Sequence, residues 1–161
     1  MCWKCDNPQA TIEDYLDHVR AIITDHEWAV HFVESDRNPF AHTVGLHGRG
    51  QPELLITGLP PQPSARLLNS IAHQVLEDQL ALRPAMHIDF QGEFLLEVVE
   101  VDHPDVHLGC AVALFGPIRA LQLVWTDDPR HWPWDRSWSD GRRAQPVLGL
   151  RAPNRPPQRQ W

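Results

Sequence analysis

The stretch that most constrains this chain spans residues 39–60, PFAHTVGLHGRGQPELLITGLP. Two short apolar runs, 40–46 and 53–59, lie either side of a loop, 47–52, that carries Gly48, Gly50 and Pro52. Turn residues between two such runs predict an antiparallel hairpin with a longer loop. Within the first run, Ala41, Thr43 and Gly45 share one face, and that face is small enough to admit a close-packed helix or a ligand. Both runs end in a Thr/Gly pattern, Thr43-Val44-Gly45 and Thr57-Gly58. We read these endings first as packing devices, and the loop 47–52 as the place within the hairpin where function would sit.

Helices flank this pair in the sequence. Thr11 with Asp14 matches a helix-start box, in which the hydroxyl caps free amides and acids suit the first turn. Ile12, Tyr15, Leu16, Val19, Ile22 and Ile23 then recur at helical spacing. After 60–64, where prolines are tolerated in a first turn, Leu67, Leu68, Ile71, Ala72, Val75 and Leu76 form a second stripe. Each large member contributes roughly 1.5–3 kcal/mol on burial, so this helix should be a main core element. Further strands are predicted at 28–33, 87–90, 94–101 and 119–125, with a short helix at 106–115 that buries Cys110. The expected architecture is α+β, a mainly antiparallel sheet of five or six strands with two main helices on one face and a short third helix. One domain should span 1–135, beginning with a 1–10 arm. Residues 136–161, rich in Pro and Arg, should form an extended or disordered tail.

Charge separates these two parts. Residues 136–161 carry six arginines against Asp140, a balance of +5, which leaves −12 on residues 1–135. So acidic a body argues against a nucleic-acid surface on the folded part. A solvated tail is the simpler reading of the basic end. No run approaches the ~18 apolar residues of a membrane span, and the N-terminus lacks a basic-then-apolar signal pattern. A cytoplasmic protein is expected, and there three cysteines are poor material for structural disulfides.

Two groups of residues carry candidate chemistry. Cys2 and Cys5 form a C-x-x-C, whose spacing lets two thiolates bind one metal or close a redox bond. Zinc would need two more ligands, and His31 and His42 can converge if their strands are neighbours. An anchoring role for the arm around Trp3 remains open beside this, as does an N-terminal thiol nucleophile at Cys2 after loss of Met1. The second group is a candidate binding surface, made of His42, Thr43, His47 and Glu53 at the hairpin with Trp125, Asp127, Trp132 and Trp134 in the Trp/acid segment. Tryptophan offers large contact area with one polar handle, which suits recognition, a lid, or cover for a sheet edge. No phosphate loop, dinucleotide fingerprint or nucleophile elbow occurs.

Four segments together, MCWKCD, FAHTVGL, PELLITGL followed by a proline-led amphipathic helix, and ALQLVWTDDPRHWPWD, resemble the bacterial family called domain of unknown function 4262. The likeness covers roughly residues 1–135. The chain departs from it at His42, where the family often has Tyr, and at Gln51, where it often has His. The resemblance implies a small α+β domain and supplies no catalytic residues. The function expected is a non-catalytic binding or accessory module for a protein or small molecule, using the hairpin loop and the Trp/acid segment. The alternative is a metal- or thiol-dependent enzyme using the C-x-x-C and nearby histidines.

Overall fold

Six strands, β1 (Ala29–Val33), β2 (Phe40–Val44), β3 (Glu53–Thr57), β4 (His87–Phe90), β5 (Phe94–Glu100) and β6 (Ala120–Trp125), form one sheet in the computed structural model, which describes residues 3–141 and 144–153. Their order is β1-β2-β3-β6-β5-β4. The hairpin at the heart of the sequence pairs as expected, with Phe40 opposite Thr57 and His42 opposite Leu55. Every other neighbouring pair is antiparallel except β3–β6, which is parallel, so the sheet is mixed. The parallel junction arises because the chain leaves β3 through a helix and returns to β3's free edge only after the β4–β5 hairpin.

The helices are α1 (Trp3–Asp6), α2 (Ile12–His26), α3 (Pro61–Leu76), α4 (Pro104–His107) and α5 (Gly109–Phe115). At the start of α2 the Thr11 hydroxyl accepts from the Asp14 amide at 3.2 Å, and the Thr11 amide donates to Asp14 at 2.8 Å, the reciprocal box predicted from sequence. The single helix expected at 106–115 is two short ones. Leu108 leaves helical geometry between them, at φ −103° and ψ 52°. The 47–52 loop contains a 3-10 turn over Leu46–Arg49.

The two main helices do not share a face, which corrects the arrangement expected from sequence. Leu67, Leu68, Ile71 and Val75 of α3 pack with Ala41, Leu54, Ile56, Leu121 and Leu123. Val19 of α2 and Ala111 of α5 pack with Val44, Leu55 and Ala120. Successive strand residues point to opposite faces, so neighbours such as Leu54 and Leu55 serve different helices. Both β3 and β6 are buried at every position, as befits strands covered on both sides.

The Thr/Gly endings act as packing devices, each toward a different neighbour. Gly45, at φ 126°, lies where a Cβ would come within 2.9 Å of the Glu27 carbonyl at the α2–β1 corner. Gly58, at φ 80°, lies where a Cβ would come within 2.7 Å of the Ala144 carbonyl. Only glycine combines this backbone with so close an approach. The second contact belongs to a strap, residues 144–151, which has neither helix nor strand and crosses the part of the second face left open by α2 and α5. Within the basic end, the strap residues Gln145, Pro146 and Leu148 are therefore hydrogen-bonded to the sheet. No helix among the described residues is long and apolar enough to cross a membrane.

Candidate functional site

Glu53, the first residue of β3, is fully buried and takes donors from the turn that precedes it. Thr43 Oγ1 donates to its Oε2 at 2.6 Å, while the Gly45 and His47 amides donate to Oε1 at 2.8 and 3.1 Å. Thr43 Oγ1 also accepts from the Leu54 amide at 2.9 Å. Burial pushes the Glu53 carboxyl above its ordinary value, and the hydrogen bonds from Thr43, His47, Gly45 and Leu46 pull it part of the way back. Thr43 and Glu53 thus clamp the end of β2 onto the start of β3 and hold the 3-10 turn between them. Burial raises the Cys110 thiol, and the negative charge of Glu53 raises it further, so this thiol is not primed as a nucleophile.

Outside this clamp the turn forms one wall of an open groove of about 430 Å³. His47, Gly50, Gln51 and Pro52 face Pro117, Ile118 and Arg119 across it. The His47 ring lies 5.6 Å from that of Phe115, and Arg119 forks onto Glu100 at 2.9 and 2.7 Å.

His31 and His42 do converge, as cross-strand partners with ring centroids 5.3 Å apart. The Tyr15 hydroxyl is hydrogen-bonded to His31 Nδ1. His42 Nδ1 lies 3.0 Å from the Thr43 carbonyl, which can only accept, so Nδ1 carries the proton. Burial lowers the His42 pKa to about 4; the bond to Thr43 opposes the shift and nearby His31 adds to it. Burial likewise lowers that of His31. Trp3 of α1 stacks on His18 at 4.9 Å and leans on Tyr15 at 5.6 Å, so the arm is anchored over this cluster. Cys5 is exposed, and Cys2 lies outside the described residues. Among the described residues no group of three or more His, Cys, Asp or Glu side chains could hold a metal ion. Of the pair, His31 holds the bond to Tyr15.

The Trp/acid segment divides by depth. Trp125 is core: its indole N–H donates to the Thr57 carbonyl at 2.8 Å, and its ring meets Trp138 edge-on at 5.0 Å. Asp127 organises the loop, accepting from the His131 and Ser139 amides at 2.7 and 2.9 Å. Burial would raise its pKa, but the bonds from Ser139 and His131 outweigh that and hold it below the usual value. Trp132 and Trp134 are half-buried and stacked 5.2 Å apart. Arg151 lies over Trp134 at 3.6 Å and forks onto buried Glu97 at 2.8 and 3.0 Å.

A family model described as Domain of unknown function (DUF4262) matches residues 22–139. The chain belongs to the DUF4262 family. The match takes in all six strands of this DUF4262 domain, together with the Glu53 clamp and the Trp/acid segment. It leaves out the C-x-x-C arm, the first turns of α2 and the strap. Neither curated proteins nor solved structures gave a match.

Sequence reasoning gave Thr57 only a packing role and passed over Glu97, Gln122, Gln145 and Arg151. The first four are buried polar groups, and two of them interrupt apolar strands, Glu97 in FLLEVVE and Gln122 in ALQLVW. That interruption was the available signal, because a polar side chain buried in a sheet must find a partner.

Proposed function

We propose that this DUF4262 domain is a non-catalytic binding module, with its ligand seated in the groove between the 47–52 turn and residues 117–119. The observation that carries the reading is the groove itself. Its volume of about 430 Å³ falls in the range of small-molecule sites. Pro52, Pro117 and Ile118 offer apolar walls, while His47, Gln51 and Arg119 offer hydrogen-bond donors. This combination suits a small, mainly apolar molecule with a carbonyl or carboxylate end. Glu53 lies beneath the same turn with both oxygens engaged, which favours a scaffolding over a chemical role.

The test is an NMR titration with a panel of aromatic and short aliphatic carboxylates. Saturable shifts at His47, Gln51 and Ile118, abolished by Ile118→Arg at unchanged melting temperature, are expected. Shifts elsewhere, or none, reject the reading. The rival, a metal- or thiol-dependent enzyme, draws on the pairing of His31 with His42 beside the anchored arm. Elemental analysis of untagged protein separates the two: about one zinc per chain would favour the rival.

A further inference from the structure

We propose that the polar floor of the second sheet face is a recognition groove for an extended peptide that ends in an arginine, and that residues 144–151 are its occupant in cis. The floor consists of Thr57, Glu97 and Gln122, on three adjacent strands, all buried. Their hydrogen bonds run largely to the strap. Thr57 Oγ1 and Gln122 Nε2 donate to the Pro146 carbonyl at 2.8 and 2.7 Å. Gln122 Oε1 accepts from the Leu148 amide at 2.7 Å, and the Asp102 amide donates to the Leu148 carbonyl at 2.8 Å. The floor thus reads the backbone of an extended segment, as peptide grooves do.

Specificity comes from three positions in that segment. The Gln145 side chain forks onto the main chain of Trp125, accepting from its amide at 2.9 Å and donating to its carbonyl at 2.8 Å. Gly149 passes so close to β5 that a Cβ would lie 1.8 Å from the Glu100 carbonyl. Arg151 closes the sequence with its fork onto Glu97 and its stacking on Trp134. Between Gly149 and Arg151, Leu150 is 84 % exposed. The pattern recognised is Gln-Pro-x-Leu-Gly-x-Arg, in which Leu148 packs beside α5.

Two further observations separate occupant from floor. The family match ends at residue 139, so the floor belongs to the DUF4262 domain and the strap lies beyond it. Charge also matches where the strap carries it, because Arg151, its one charged residue, ends on the buried Glu97 carboxylate. A floor with buried amide, hydroxyl and carboxylate groups rejects occupants that leave those groups unpaired, so it selects for a matching peptide over an apolar one. The partner is therefore a protein presenting this pattern in an extended segment. The inference does not depend on the 47–52 groove.

The test uses the full chain carrying Gln145→Ala, Gly149→Ala and Arg151→Ala, which disables the occupant and leaves the floor intact. The probe is a fluorescein-labelled peptide of residues 144–153, followed by anisotropy, with circular dichroism reporting the fold. Saturable binding is expected, at least about tenfold tighter than to the wild-type chain, whose own strap competes. The same peptide with Gly149→Ala should not bind, and adding Gln122→Ala to the receptor should abolish capture. If the triple variant unfolds and the peptide restores its fold, the proposal also stands. A folded variant that ignores the peptide, or binds both peptides alike, overturns it. So does an unfolded variant that the peptide fails to restore, because the strap is then part of the core.

Discussion

Beneath α3 the sheet presents Leu54, Ile56, Leu121 and Leu123, and on its other side it presents His42, Glu53, Thr57, Glu97 and Gln122, every one of them just as buried. The first face is covered by one amphipathic helix, and any well-shaped apolar layer would serve it. The second is divided among α2, α5, the Glu53 turn and the strap, because each polar group demands a partner of the right kind at the right place. Burial alone does not separate the faces. The difference lies in tolerance: the α3 face is stabilised by area, while the second face is stabilised by matching and can therefore discriminate between covers.

Breaking the apolar side should have the largest effect. Leu68→Ala on α3, at a fully buried position, is expected to destabilise the domain by about 4 kcal/mol through lost transfer energy and the cavity left behind. Urea unfolding measures it, and binding of small carboxylates by the surviving folded fraction should be unchanged. A loss below about 1 kcal/mol would mean that α3 is not the main core helix.

On the matched side, Glu53→Leu keeps much of the volume but removes the acceptor that the Gly45 and His47 amides share, leaving both donors without a partner. It should cost about 3 kcal/mol, with exchange of those two amides rising well above that of the sheet. Equal loosening of sheet and turn would show that the clamp is not local.

The smallest of the three effects sharpens the comparison through pH. His42 has a folded pKa of about 4 against an ordinary 6.5, so the unfolded chain takes up a proton that the folded chain refuses. Its stabilisation is complete above the unfolded value and is lost as pH falls from 6.5 toward 4. From about pH 6 to about pH 4.5 this removes about 2 kcal/mol. The slope should flatten in His42→Phe while stability near neutral pH changes less. An unaltered acid limb would assign it to other groups. The raised pKa of Glu53 acts in the opposite sense, since its protonation as pH falls favours the folded state.

How much of this was legible in advance differed residue by residue. Thr11 and Asp14 announced the start of α2, and the α3 stripe named its own buried residues, because those signals are local and periodic. The pairing of His31 with His42 followed from two neighbouring strands. The opposite placement of α2 and α3 did not, since a strand such as ELLIT, with three apolar residues in a row, is compatible with cover on either side or both. Trp125 and Asp127 looked like surface recognition residues because tryptophan and acid residues suit that role, yet one is core and the other ties a loop. The partners of Glu97 and Gln122 lie 54 and 26 residues away, beyond any periodic signal.

By itself the sequence determined the α+β class, the hairpin over residues 40–57 and the two amphipathic helices. Each of these depends on propensity or repeat over a few residues, where local energetics suffice. Only the tertiary structure decided which face each helix covers, that one strand junction is parallel, and that residues 145–151 lie along a polar floor. Those outcomes rest on pairing between distant groups whose burial is favourable only when all of them meet at once.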